Sequence, residues 1–92
     1  AMFLEALADG GVACGLPRAA AIQYAAQMML GTAKMVLETG EHPDVLKDRV
    51  CSPGGTTIQG VRALETAGLR GAVFNAVIAA YEKNADLKKA ND

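Results

Sequence analysis

Ala19-Ala20-Ala21-Ile22-Gln23-Tyr24-Ala25-Ala26-Gln27-Met28-Met29-Leu30-Gly31-Thr32-Ala33 contains no charged residue. Pro17, just before it, suits the first position of a helix, and Gly40, beyond it, suits a helix stop. The spacing predicts one long helix from Pro17 to about Thr39. Ile22, Tyr24, Ala25, Ala26, Met28, Met29 and Leu30 point in every direction around its axis. A helix apolar on all sides belongs at the centre of a core or in a membrane. A membrane span needs roughly 18–20 apolar residues, and this run is shorter and broken by Gln23, Gln27 and Thr32. The core reading follows, with no membrane contact, and the Met28-Met29 pair reads as adaptable filler.

Upstream, Met2 to Cys14 reads as a helix, with Phe3, Leu4, Leu7, Ala8 and Val12 at three- and four-residue spacing. Ala1 has no capping chemistry, so this helix is expected to be cut at its front and the chain to be a fragment. Gly10-Gly11 inside the pattern weakens a helix and points to close packing by a neighbour. Gly15 then stops the helix. Downstream, Pro43 to about Val50 reads as a short helix and Gly55 to Ala67 as another, ended by Gly68. On the latter, Arg62 and Glu65 stand three apart and are expected to pair. A last helix runs from near Leu69 towards Lys89. Its stretch Gly71 to Tyr81 is again uncharged and apolar all round.

The reading is therefore all-α: five helices and no strand. A 92-residue chain with 51% hydrophobic content fits one compact domain. A domain of that size cannot wrap two all-apolar helices. The surplus surface must meet another chain, most simply in a two-fold homodimer with intertwined helices.

Between the third and fourth helices lies Val50-Cys51-Ser52-Pro53-Gly54-Gly55-Thr56-Thr57-Ile58-Gln59-Gly60. Pro53 fixes its own φ and drives Ser52 out of the helical region, and the two glycines allow close approach to the backbone. The result is a tight loop feeding a helix N-terminus, with the hydroxyls of Ser52, Thr56 and Thr57 around free backbone N–H groups. Local chemistry leaves two readings open. One is a structural N-cap; the other is an anion site at the helix start.

The string Asp48-Arg49-Val50-Cys51-Ser52-Pro53-Gly54-Gly55-Thr56-Thr57-Ile58, followed by Gly60, Leu64-Glu65 and Gly68-Leu69-Arg70, resembles the signature of pyrroline-5-carboxylate reductases. Ala6-Leu7-Ala8-Asp9-Gly10-Gly11-Val12 through Gly15-Leu16-Pro17-Arg18 resembles the same family, as does Gly31-Thr32-Ala33-Lys34-Met35. The matches run in order from about residue 5 to residue 70. The resemblance implies that residues 1–92 are the C-terminal dimerisation and substrate-binding domain, with a nucleotide-binding Rossmann domain ahead of it. The intact enzyme would reduce 1-pyrroline-5-carboxylate to L-proline with NADPH or NADH. In this domain the N–H groups of Gly55, Thr56 and Thr57, with the hydroxyls of Ser52 and Thr57, would hold the substrate carboxylate. No catalytic proton donor and no cofactor-binding residue is assigned, and these 92 residues alone are expected to be inactive. Two other classes fit the helices without the resemblance: a non-catalytic oligomerisation module, and the helical domain of another nucleotide-dependent dehydrogenase.

Composition narrows the rest. The net charge is −1 with scattered basic residues, and Trp is absent, which argues against a nucleic-acid surface. Cys14 and Cys51 make no disulfide framework, so reduced thiols in the cytoplasm are expected. One histidine and no Cys-x-x-Cys pair make a metal site improbable. His42, in a Gly-Glu-His-Pro turn, reads as a solvent-facing residue, and Asp48 as a residue that helps hold the loop.

Overall fold

The structure is a computed structural model and describes residues 1–91, with side chains described through Lys89. Those residues form five helices and no strand: α1 (Met2–Ala13), α2 (Arg18–Thr39), α3 (Pro43–Val50), α4 (Thr56–Thr66) and α5 (Leu69–Asn91). The all-α reading holds, and most helix ends fall within a residue or two of the expected positions. Pro17 is the N-cap of α2 rather than its first residue, with φ −60° and ψ 143°. Likewise α4 starts at Thr56, because Gly55 is extended and serves as its N-cap. The chain divides into two units, Ala1–Leu46 and Lys47–Asp92.

In the first unit α1 and α2 pack on each other across a four-residue connection, Cys14 to Pro17. The connection opens with a Schellman-type stop. The Leu16 N–H donates to the Gly11 carbonyl at 3.0 Å and the Gly15 N–H to the Val12 carbonyl at 2.9 Å, with Gly15 at φ 106°. Only one of the paired glycines is there for packing. A Cβ on Gly11 would stand 3.2 Å from Leu16 Cδ1 and 3.3 Å from Ala21 Cβ, whereas one on Gly10 would meet nothing within 4 Å. Ala8, Ala21 and Ala25 are buried, and Arg18 bridges to Asp9 from the start of α2 to the end of α1. At the far end Gly40, at φ 68°, closes α2 with its N–H on the Val36 carbonyl.

His42 caps α3. Its Nδ1 accepts from the Asp44 N–H at 3.1 Å while the ring stays exposed, so it is a turn histidine with a structural task. The second unit continues from Lys47 and contains α4 and α5 with the connection before them. Gly68, at φ 79°, separates those two helices. Glu65 Oε1 accepts from Arg70 Nε at 2.7 Å. The expected Arg62–Glu65 pair is therefore replaced: Arg70, across the glycine turn, takes the carboxylate.

Large apolar side chains point outward in both units. Leu37 is 84% exposed, Tyr24 61%, Phe74 68% and Tyr81 72%, and no large side chain is fully buried among the described residues. Much of the apolar surface of α2 and α5 thus stays exposed, although Ala21 and Ala25 of α2 are buried. No helix among the described residues is long and apolar enough to cross a membrane.

Candidate functional site

The connection from α3 to α4 is built from two short devices. The Cys51 N–H donates to the Asp48 carbonyl at 3.2 Å, which tightens the end of α3. Asp48 therefore holds the loop through its backbone; its carboxylate lies 3.3 Å from Lys47 Nζ instead. Next, the Gly55 N–H donates to the Ser52 carbonyl at 3.1 Å across Pro53 and Gly54. Proline at the second position and Gly54 at φ 69° in the third define a type II β-turn. Pro53 presets the first half of that turn, and the second half requires a residue free to adopt positive φ.

Gly55 leaves the turn extended, at φ −78° and ψ 178°, and α4 begins at the next residue. No side-chain hydrogen bond caps this helix. The structural N-cap reading of Ser52, Thr56 and Thr57 therefore does not describe how α4 starts. Helix geometry leaves the N–H groups of Thr56, Thr57 and Ile58 without an acceptor one turn back. The partial positive charge of the helix start adds to their attraction for an anion.

The four residues singled out in the sequence lie together within this short stretch but not in equivalent roles. Ser52, Thr56 and Thr57 are exposed, and Gly55 is half-buried. The Gly55 N–H is already engaged in the turn, so the donors at the helix start are those of Thr56, Thr57 and Ile58. Ile58, which the sequence reading did not assign to the site, supplies the third. The helix register is the signal for it: the third N–H of any helix is as free as the first two. The arrangement offers neutral backbone donors and hydroxyls, a set suited to holding a carboxylate or similar anion in place. It contains no group that activates a bond.

Two ion pairs went unread in the sequence although both lie in the stretches quoted above. Asp9–Arg18 ties the first two helices, and Glu65–Arg70 ties the last two. In each case the partners flank a glycine turn, a spacing of nine and five residues that helical periodicity does not single out.

The Rossmann way of holding a nicotinamide dinucleotide uses a strand, a glycine-rich turn and a helix in succession. Here Gly10-Gly11 lies inside α1 and no strand occurs among the described residues. Nor does any group of three or more His, Cys, Asp or Glu among the described residues form a metal cluster.

Comparison with known proteins agrees with the all-helical reading. Residues 1–87 match the family model described as pyrroline-5-carboxylate reductase dimerisation. The chain is 58% identical over 89 residues to the pyrroline-5-carboxylate reductase of Escherichia coli, covering 97% of this chain and 33% of that protein. It is 56% identical over 86 residues to the enzyme of Glycine max, covering 94% of this chain and 31% of that one. Among solved structures, the NADP-bound pyrroline carboxylate reductase of Plasmodium falciparum superimposes with a TM-score of 0.85 at 39% identity, over 89% of this chain and 31% of that chain. The 1-pyrroline-5-carboxylate reductase of Streptococcus pyogenes gives 0.78 at 41% identity, over 82% of this chain and 29% of that chain. The chain spans about a third of the length of these relatives, and it belongs to the pyrroline-5-carboxylate reductase dimerisation family.

Proposed function

We propose that this chain is the C-terminal helical part of a cytoplasmic pyrroline-5-carboxylate reductase whose Rossmann domain lies outside these 92 residues. The intact protein would reduce 1-pyrroline-5-carboxylate to L-proline, with NADPH or NADH as the hydride source held by that other domain. Two copies of the chain would associate through α2 and α5, whose apolar side chains are exposed in the single chain.

The observation that carries the reading is the uncapped start of α4 behind the Ser52–Gly55 turn. The substrate carboxylate would sit on the N–H groups of Thr56, Thr57 and Ile58, with the hydroxyls of Ser52 and Thr57 beside it. A fixed carboxylate orients the ring, and orientation is what a hydride acceptor needs from this side. A carboxylate is present in ground state and transition state alike, so its binding is largely uniform. Losing part of it raises KM more than it lowers kcat.

Thr57→Ala in the intact protein tests this. One hydrogen bond to a charged group contributes ~1.5–3 kcal/mol. The expected result is a kcat/KM for the imine lower by roughly ten- to a hundredfold. The loss should sit chiefly in KM, with an unchanged thermal midpoint. If Thr57 served only to stabilise the helix start, the variant would melt earlier by about 1 kcal/mol of stability and keep its KM.

A further inference from the structure

We propose that Gly55 is a positioning residue: its missing side chain leaves the space that the Ser52 hydroxyl occupies, and this aims the hydroxyl at the anion on α4. The inference rests on the carboxylate reading above.

The two adjacent glycines of the turn are glycines for different reasons. Gly54 needs its φ of 69°, and a Cβ there would meet nothing within 4 Å. Gly55 is the reverse. Its φ of −78° and ψ of 178° are open to any L residue. Its N–H is bonded to the Ser52 carbonyl and is not available to a ligand. What excludes a side chain is the Ser52 Oγ, which a Cβ on residue 55 would overlap. The Ser52 carbonyl oxygen at 3.3 Å and Ser52 Cβ at 3.6 Å would come close without overlap.

The overlapping atom is the end of a side chain with one rotatable bond. An alanine at 55 is therefore accommodated by turning Ser52 to another rotamer, with the carbonyl yielding by a few tenths of an ångström. The fold keeps its turn and the hydroxyl loses its place. Gly55→Ala is thus a binding variant that acts through Ser52, whereas a residue needed only for backbone shape would show its effect in folding.

The test uses the intact protein in four forms: wild type, Ser52→Ala, Gly55→Ala and the double variant. KM and kcat for 1-pyrroline-5-carboxylate are measured with the thermal midpoint. Ser52→Ala is expected to raise KM roughly tenfold or more, the size of one hydrogen bond to a charged group. Gly55→Ala should raise it by a similar factor with kcat within about twofold and the thermal midpoint unchanged. The double variant should be no worse than either single one, since both changes remove the same hydroxyl from the same place. The proposal is overturned by a wild-type KM in Ser52→Ala or Gly55→Ala, by a Gly55→Ala protein that does not fold, or by a double variant in which the two factors multiply. Thr57→Ala separates the two layers. If its KM also stays at the wild-type value, the carboxylate reading itself has failed. If its KM rises while Gly55→Ala is normal, only the positioning role is lost.

Discussion

The hairpin of α1 and α2 buries Ala8, Ala21 and Ala25, whereas the segment from Lys47 to Lys89 buries no residue at all. The two units share a composition rich in alanine and large apolar residues and use it differently. In the first, small side chains let two helices touch, and a glycine stop and an ion pair fix the corner. In the second, Phe74, Val77 and Tyr81 stand on α5 facing solvent. Neither is self-sufficient. The second unit has no buried residue through Lys89 and so depends more on cover from outside itself. That unit also carries the Ser52–Thr57 loop, so the proposed binding site stands on the part of the chain that most needs a partner.

The comparison is broken most directly at α5. Phe74→Asp places a charge where an apolar partner is expected, and the loss of a packed Phe alone costs ~3–5 kcal/mol. The expected outcome is loss of association and of much of the helical circular dichroism, followed by light scattering and far-ultraviolet spectra at micromolar concentration. The unsubstituted chain should scatter as twice its 9.5 kDa mass or more. A folded monomer of wild-type sequence would show that α5 needs no cover.

Within the second unit, Gly54→Ala forces a Cβ into left-handed backbone. The expected cost is about 1–2 kcal/mol of stability, read from denaturant midpoints. A neutral result would mean that the turn changes type without consequence. A smaller contrast sharpens the picture of the first unit. Gly10→Ala should stabilise by up to ~1 kcal/mol through helix propensity. Gly11→Ala should lose that gain to crowding against Leu16 and Ala21. A destabilised Gly10→Ala would reveal a partner chain packed on that face of α1. The smallest effect belongs to the bridge between Asp9 and Arg18, whose side chains are about half exposed. A double-mutant cycle should give a coupling of ~0.2–1 kcal/mol that shrinks in high salt.

Much of the architecture was legible along the chain because it is written in local chemistry. Gly15, Gly40 and Gly68 take positive φ where helices end, and Pro17 and Pro43 stand where helices begin. The uncharged runs of α2 and α5 announced exposed apolar surface in a chain too short to cover it. The loop was legible as a place, since Pro53 and Gly54 leave few other conformations. Its inner assignments were less so. Which N–H groups remain free depends on the Gly55-to-Ser52 bond and on α4 starting one residue later than its composition suggests.

The sequence by itself determined the helix count, their limits to within a residue or two, a tight loop at Pro53-Gly54-Gly55 and the need for apolar cover, because each follows from dihedral preference or periodicity over a few neighbouring residues. Only the tertiary structure decided that Glu65 pairs with Arg70, that Asp9 meets Arg18, that Gly11 and not Gly10 is packed, and that the Ser52 hydroxyl fills the space beside Gly55. Those outcomes turn on ångström-scale distances between side chains brought together by turns, and no spacing along a single helix encodes them.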